Sequence, residues 1–344
     1  MNTTNSLPPL KEGFYTRPAT LDDLPEMVRV LNDYWTPLVS VDKFSIDEFE
    51  VMASTPGYDL GNSVQVVFAP DGKMVACVLV RDVSSPPVHP SALGAVENEY
   101  EGLGIGSYLL SWAERRARQA IQRVPEGARV TLYMSASLDH PPTVRLFEAY
   151  GMQAARYFWL MVIELDKKPP DPVWPGGISV TTYQDHPDLV ALYRATDEAF
   201  QDHWGYVKRD EDESLQRWRH FMENDKQFDP SLYFMVMDGE EIAGVALCAP
   251  EIGGDQDMGL VEQLAVHRAW RKRGFGLALL HHAFNVFYER GKKRVGLGVD
   301  ADSLTGATRL YEKAGMHVHK QVVNYELELR PGEEIGTQDL EEVG

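Results

Sequence analysis

A glycine-rich turn occurs twice in this chain, as Glu101-Gly102-Leu103-Gly104-Ile105-Gly106 and again as Arg271-Lys272-Arg273-Gly274-Phe275-Gly276, with 170 residues separating the equivalent glycines 104 and 274. The same apolar periods surround both turns, which marks an internal repeat and limits the chain to one supersecondary pattern used twice. Before each turn the spacing predicts a short strand, a helix and a hairpin. In the first half these are Phe14-Tyr15-Thr16-Arg17-Pro18, a helix from Leu21 to about Trp35, and strands Gln65–Phe68 and Met74–Val80 around Pro70-Asp71-Gly72-Lys73. In the second they are Ile178-Ser179-Val180-Thr181, a helix through Leu189, Leu192, Tyr193 and Phe200, and strands Tyr233–Met237 and Ile242–Leu247 around Asp238-Gly239-Glu240. Asp-Gly between apolar runs is a hairpin signal. After each turn come a helix, a strand, a short helix closing on Gly151 or Gly315, and a last strand pair. The fold class expected is α/β, with a mixed sheet flanked by helices in each half.

Asp166-Lys167-Lys168-Pro169-Pro170-Asp171-Pro172-Val173-Trp174-Pro175-Gly176-Gly177 separates the halves. Proline removes backbone donors and fixes φ, so this run reads as a linker. The expected division is 13–166, a linker at 167–177, 178–330, and an acidic tail at 331–344 expected to be disordered. A length of 344 residues suits two domains, and 44% hydrophobic with 25% charged residues is the balance of a globular protein. No stretch is apolar for long enough to span a bilayer, and Met1-Asn2-Thr3-Thr4-Asn5-Ser6 lacks the basic and apolar regions of a secretion signal, so a cytoplasmic location is expected. Cys77 and Cys248 each fall inside a strand-like apolar run, so no disulfide framework is expected. The net charge of -19 opposes nucleic acid and anionic lipid as partners, and suits a cationic substrate such as an amine. Solubility alone is the blander account of that acidity. Against it, any basic cluster stands out.

Arg271-Lys272-Arg273 is such a cluster, between a buried strand, Val261–Val266, and a helix with Leu277, Leu280, Ala283 and Phe284 on its core face. Glycines 274 and 276 let the backbone approach a ligand and aim amides at it. The start of a helix adds unpaired donors and the positive end of a dipole, so a pyrophosphate fits. A P-loop is excluded because no Gly-Lys-Ser/Thr follows, and the dinucleotide fingerprint fails at Leu279. The blander reading is a solvated basic turn; the strand before it and the tyrosine-bearing helix downstream favour a ligand site.

With these residues the chain resembles the GNAT superfamily of acyl-CoA N-acyltransferases, whose motif is Arg/Gln-x-x-Gly-x-Gly/Ala at a strand-to-helix turn. Asp300-Ala301-Asp302-Ser303-Leu304-Thr305-Gly306-Ala307-Thr308-Arg309-Leu310-Tyr311-Glu312-Lys313-Ala314-Gly315-Met316 resembles its second signature, with Ser303 where Asn is usual and Met316 where Phe is usual. The resemblance runs once through each half. With Asp202-His203-Trp204-Gly205 after the first helix of the second half, the layout looks like tandem GNAT proteins of the mycothiol-synthase type.

The resemblance implies two tandem GNAT folds, each with splayed fourth and fifth strands, and acetyl-CoA as acyl donor with no metal. The pantetheine arm would fall to the backbone of Leu264, Ala265 and Val266. The pyrophosphate would fall to Arg271, Lys272, Arg273, Gly274, Phe275, Gly276, Leu277 and Ala278, with Ser303 and Thr308 also on the cofactor. Tyr311 would protonate the leaving thiolate; the thiol is like that of cysteine, with a pKa of about 8.5, and tyrosine lies near 10. Period 2 puts Glu262 on one face with Leu264 and Val266, and this makes it a candidate base toward the amine, directly or through water; a solvent-facing or salt-bridged glutamate is the other reading. His203 and Trp204 would shape the acceptor pocket, or serve only as an aromatic loop anchor. The expected acceptor is a small-molecule amine.

The first half is an internal control. Glu101 and Leu103 replace basic residues at the turn, and Phe147 stands where Tyr311 stands. That half is expected to keep the fold but bind CoA poorly, as scaffold or substrate wall. His317-Val318-His319 and His281-His282 lack Cys or carboxylate partners at ligand spacing, so no metal site is expected. Tyr157, Phe158, Trp159 and Met161 read as a core strand, and no G-x-S-x-G is present. The rival to an acyltransferase is a GNAT-like module that binds acyl-CoA or a small ligand without turnover; Tyr311 against Phe147 favours the enzyme.

Overall fold

The repeat is built as two α/β units in the computed structural model, which describes residues 7–39 and 44–338. In chain order the elements are β1 (Tyr15–Pro18), α1 (Leu24–Val39), α2 (Ile46–Ala53), α3 (Leu60–Ser63), β2 (Val64–Phe68), β3 (Met74–Arg81), β4 (Ser91–Val96), α4 (Ile105–Ala117), β5 (Val130–Ser137), α5 (Pro141–Tyr150) and β6 (Gln153–Glu164). They continue as β7 (Ile178–Thr182), α6 (Leu189–Phe200), α7 (Glu211–Asn224), β8 (Tyr233–Asp238), β9 (Glu241–Ala249), β10 (Met258–Val266), α8 (Phe275–Glu289), β11 (Arg294–Asp300), α9 (Ala307–Lys313) and β12 (His317–Arg330).

The compact units do not end at the proline-rich linker. The first comprises residues 1–155 and 322–335, the second 156–321 and 336–344. The first unit's sheet runs β1-β2-β3-β4-β5 and is completed by Val322–Arg330 of β12, antiparallel to β5 from Val322↔Ser137 to Arg330↔Val130. The second unit's sheet runs β7-β8-β9-β10-β11 and is completed by β6, antiparallel to β11 from Phe158↔Asp300 to Glu164↔Arg294. Each half therefore lends its last strand to the other unit, which corrects the expectation that each half closes its own sheet. Local pattern cannot decide this, because a strand reads the same whichever edge it joins.

In the second unit both sheet faces are buried, as period 2 requires. Phe234, Val236, Ala246 and Val261 face α8 through Phe275, Leu279, Phe284 and Phe287, while Tyr233, Met235, Val245 and Ala265 face α6 through Leu192 and Ala199. Each fully buried side chain of that size contributes about 1.5–3 kcal/mol. Asp188 caps α6 by accepting from the Ala191 amide at 2.9 Å.

The tail differs from its expected disorder as far as it is described. Arg129 N donates to Glu333 O at 2.7 Å and Glu333 N to Gly127 O at 2.8 Å, and Thr337 exchanges backbone bonds with Gly205 and Tyr206. Backbone bonding holds this acidic segment where composition alone predicts none; residues 1–6 and 339–344 lie outside the described residues. Cys77 and Cys248 are both buried thiols. Among the described residues no helix is long and apolar enough to cross a membrane, and no group of three or more His, Cys, Asp or Glu is placed to hold a metal ion.

Candidate active site

β10 and β11 pair in parallel from Met258↔Arg294 to Val261↔Leu297 and then separate, while β10 stays paired with β9 as far as Val266. From Leu264 to Val266 the edge of β10 turned toward β11 has no strand partner. A groove of about 850 Å³ opens there, lined by Leu264, Ala265, Val266, the glycine turn and Tyr311. Bare strand amides and carbonyls along an apolar cleft can hold an extended amide chain.

The turn is fixed by backbone conformation. Gly274 caps α8 with φ +92, where a side chain would be strained although nothing lies within 4 Å of an added Cβ. Lys272 has φ 61, the one non-glycine residue at positive φ among those described; its counterpart Gly102 has φ 73. A non-glycine residue there costs about 1–2 kcal/mol. Gly276 serves packing more than ligand approach, since an added Cβ would lie 2.9 Å from Leu310 Cδ2, and Gly106 stands to Leu146 at the same 2.9 Å. The amides of Phe275, Gly276 and Leu277 begin α8 and have no acceptor within it. Ala278 is a correction: its amide donates to Gly274 O at 3.1 Å and its side chain is buried.

Arg271 lines the groove, but its guanidinium turns into the protein. Nε donates to Val266 O at 2.9 Å, Nη2 to Ala199 O at 3.1 Å, and Nη1 pairs with Asp202. Arg268 binds the same carboxylate, with Nε at 3.0 Å. The Arg268 and Arg271 guanidiniums hold the Asp202 carboxyl below its ordinary range, against the opposing effect of burial. Asp202 is 2% exposed, so this clamp ties the end of α6 to the glycine turn. Sequence reading missed it because the pairing spans 66 residues or more. The positive charge left for a diphosphate at the turn is that of Lys272 and Arg273. Of these Lys272 lines the groove, while Arg273 lies outside it over the Phe275 ring, 5.3 Å from its centroid.

A second cavity of about 210 Å³ meets the groove at Leu264, His203 and Tyr311, and is walled by Trp204, Glu262 and Asp300. Ser303 lines this cavity and not the groove, and Thr308 lines neither, so both depart from the expected cofactor contacts. Tyr311 is 8% exposed, and burial pushes its hydroxyl up to about 12. Glu262 reaches the cavity by a route that strict alternation does not give. The register shifts between Val261 and Gln263, so Glu262 is the extra residue of a β-bulge. Val261, Leu264 and Val266 consequently share the α8 face, and Glu262 is not on it.

His203 packs against Phe200, ring centroids 4.3 Å apart, and burial followed by the nearby Arg271 charge lowers it to about 4. A histidine near 6.5 when unfolded and about 4 when folded contributes stability that is complete above pH 6.5 and lost as pH falls toward 4. Urea denaturation of wild type and His203→Gln should show wild type losing about 2–3 kcal/mol more between pH 7.5 and 4.5; parallel pH dependence would mean that His203 titrates in the folded protein as it does in the unfolded chain.

The loop that carries His203 and Trp204 is held from the C-terminal side. Gly205 N donates to Thr337 O at 2.7 Å, Thr337 N to Tyr206 O at 2.9 Å, and Trp204 Nε1 to Gln338 Oε1 at 3.1 Å. Arg156 lies over the Trp204 ring at 4.5 Å.

The chain is similar to known proteins in sequence and in fold. The Acetyltransferase (GNAT) family profile matches residues 189–316. A solved GCN5-related N-acetyltransferase from Sphaerobacter thermophilus is 33% identical, with a TM-score of 0.77 over 95% of this chain and 99% of that one. A tandem GNAT protein from the clavulanic acid biosynthesis pathway shares the fold at 14% identity, with a TM-score of 0.67 over 93% of this chain and 100% of its own. The mycothiol acetyltransferase of Thermobispora bispora is 27% identical over 71% of this chain and 77% of its own length, and that of Catenulispora acidiphila is 26% identical over 75% and 79%. With the splayed strands, the glycine turn and Tyr311 found together in its second unit, this chain belongs to the GNAT family of acetyltransferases.

Proposed function

We propose that the second unit transfers an acetyl group from acetyl-CoA to a primary amine by direct attack in a ternary complex. One observation carries the reading: Tyr311 lies where the groove along the open β10 edge meets the cavity walled by His203, Trp204 and Glu262. Donor and acceptor entering by these two routes would meet at its hydroxyl.

The diphosphate rests on the amides of Phe275, Gly276 and Leu277, with Lys272 and Arg273 at the rim, and the pantetheine arm runs along Leu264 to Val266. Arg271 acts as a positioning residue for the turn. Glu262, directly or through water, takes a proton from the ammonium; the freed nitrogen attacks the thioester carbonyl, and the C–S bond of the tetrahedral intermediate breaks. A phenol held at about 12 is protonated at neutral pH but less acidic than the departing thiol. Tyr311 therefore acts first as a hydrogen-bond donor to the developing thiolate, with the amine's proton restoring the balance. The products are an amide and CoA.

Glu262 and Asp300 on the cavity wall suit a cationic amine. Relatives named for mycothiol agree with a small-molecule acceptor. Release of free thiol from acetyl-CoA across a panel of amines tests the reading; release that is slow and equal with and without every amine would leave only acyl-CoA binding. Removing Thr337 to Gly344 takes away the three hydrogen bonds that hold the 203–206 loop and should raise the acceptor KM about 10-fold, with CoA affinity unchanged. Equal KM values would detach the tail from the pocket.

A further inference from the structure

Two glycines stand in the middle of β11, and only one of them is required by packing. Val295, Leu297 and Val299 belong to the core on the α8 side, so alternation puts Gly296 and Gly298 on the opposite face. At Gly296 an added Cβ would lie 2.3 Å from Met258 Cε, and packing excludes a side chain. At Gly298 an added Cβ meets nothing within 4 Å, and its φ is open to any residue. Glycine weakens a strand, and where neither backbone nor packing demands it, it marks the close approach of another group. Gly298 stands one residue past Leu297, the last residue of β11 that pairs with β10. It lines the smaller cavity where the strands open, with Asp300 and Phe158, a cross-strand pair two residues on and on the same face.

The rest of that wall is aromatic and acidic. Phe158, Phe200 and Trp204 line it, and its charged side chains are Asp202, Glu262 and Asp300, with no lysine or arginine among the described residues that do so. Arg268 and Arg271 neutralise Asp202. Arg156 lies 3.7 Å from Asp300 but over the Trp204 ring, outside the lining. His203, lowered to about 4 by burial, is neutral at pH 7 and adds no cation. The cavity, about 210 Å³, is smaller than the roughly 300–1,000 Å³ that drug-sized ligands fill. Its occupant is therefore compact.

We infer that the acceptor is a compact arylalkylamine with no anionic group, and that Gly298 leaves the room its ring occupies. The inference rests on the acyl-transfer reading and names the substrate class of the same site. The ammonium faces Glu262, and the ring lies among Phe158, Phe200 and Trp204 over the bare backbone of Gly298. A carboxylate or phosphate on the acceptor would meet Glu262 and Asp300 with no cation on the wall to receive it. A side chain at position 298 would take the space of the ring.

The test compares acceptors that differ by one feature, with the full chain and acetyl-CoA. Wild type should use 2-phenylethylamine with kcat/KM about 100-fold or more above that for phenylalanine, which adds only a carboxylate. Phenylalaninamide, the uncharged counterpart, should stay within about 10-fold of 2-phenylethylamine. Gly298→Val should lower the ratio of kcat/KM for 2-phenylethylamine to that for ethylamine about 10–200-fold, with CoA affinity unchanged. Phenylalanine used as well as 2-phenylethylamine, or a ratio that Gly298→Val leaves unchanged, overturns the inference. The comparison of the three aromatic amines needs no variant, so it decides the matter if a melting curve shows Gly298→Val unfolded. Calorimetric titration of 2-phenylethylamine separates this inference from the transfer reading. If no amine is turned over, binding to wild type that Gly298→Val abolishes ends the transfer reading and sustains the site for an arylalkylamine. No binding to wild type overturns the inference.

Discussion

Tyr311→Phe should lower kcat by about 10²–10³, the loss that follows removal of one positioned hydrogen-bond donor to a developing anion, while leaving CoA affinity and thermal stability close to wild type. Stability should hold because the hydroxyl makes no hydrogen bond to a described residue, while the ring belongs to the core beside Phe275, Ala314 and Met316. The first unit already carries the experiment's end state, since Phe147 occupies the equivalent place and is buried to 4% exposure. Steady-state kinetics with a fixed amine, alongside CoA titration and a melting curve, separates the possible results. An unchanged kcat removes Tyr311 from the chemistry, and a lowered melting temperature with equal losses in CoA binding makes its role structural.

The second large effect concerns folding. A polypeptide ending at residue 168, where the linker suggests a domain boundary, should fail to give a cooperatively unfolding monomer. It lacks Val322 to Arg330, which pair with β5 and bury Val323 at 0%, Tyr325 at 3% and Leu329 at 6% exposure. Losing three such side chains removes on the order of 5 kcal/mol or more, comparable with the whole stability of a domain. The same polypeptide carries Phe158 to Glu164 with no β11 to pair with, an apolar edge strand that invites association. Residues 1–155 joined to 322–335 by a flexible glycine-serine linker should restore a cooperative transition. A cooperative, monomeric 1–168 fragment, seen by urea denaturation and sedimentation, would show that the exchanged strand is dispensable.

Much of the candidate site was legible because it is local. The strand, turn and helix around Gly274 lie within about twenty residues, and the diphosphate site proposed there was read from glycine conformation and helix-end amides. Tyr311 was named through the resemblance to GNAT proteins, and the contrast with Phe147 in the first half set it apart. Glu262 was named on an alternation argument that the bulge at Val261/Gln263 sets aside, although it still reaches the cavity. Arg271 was read as a diphosphate ligand because its charge is visible in the sequence, whereas the carboxylate that holds it, Asp202, lies 69 residues away.

By itself the sequence determined the two-fold repeat, the order of strands and helices, both glycine turns and the difference in charge between them. These follow from period, turn chemistry and residue type, which act over a few residues. Only the tertiary structure decided which sheet each final strand completes, which groups Arg271 and Gly276 meet, and that Thr337 and Gln338 hold the loop of His203 and Trp204. Those outcomes depend on pairs of groups far apart in the chain, whose meeting is set by edge pairing and close packing of the whole unit and leaves no mark in local pattern.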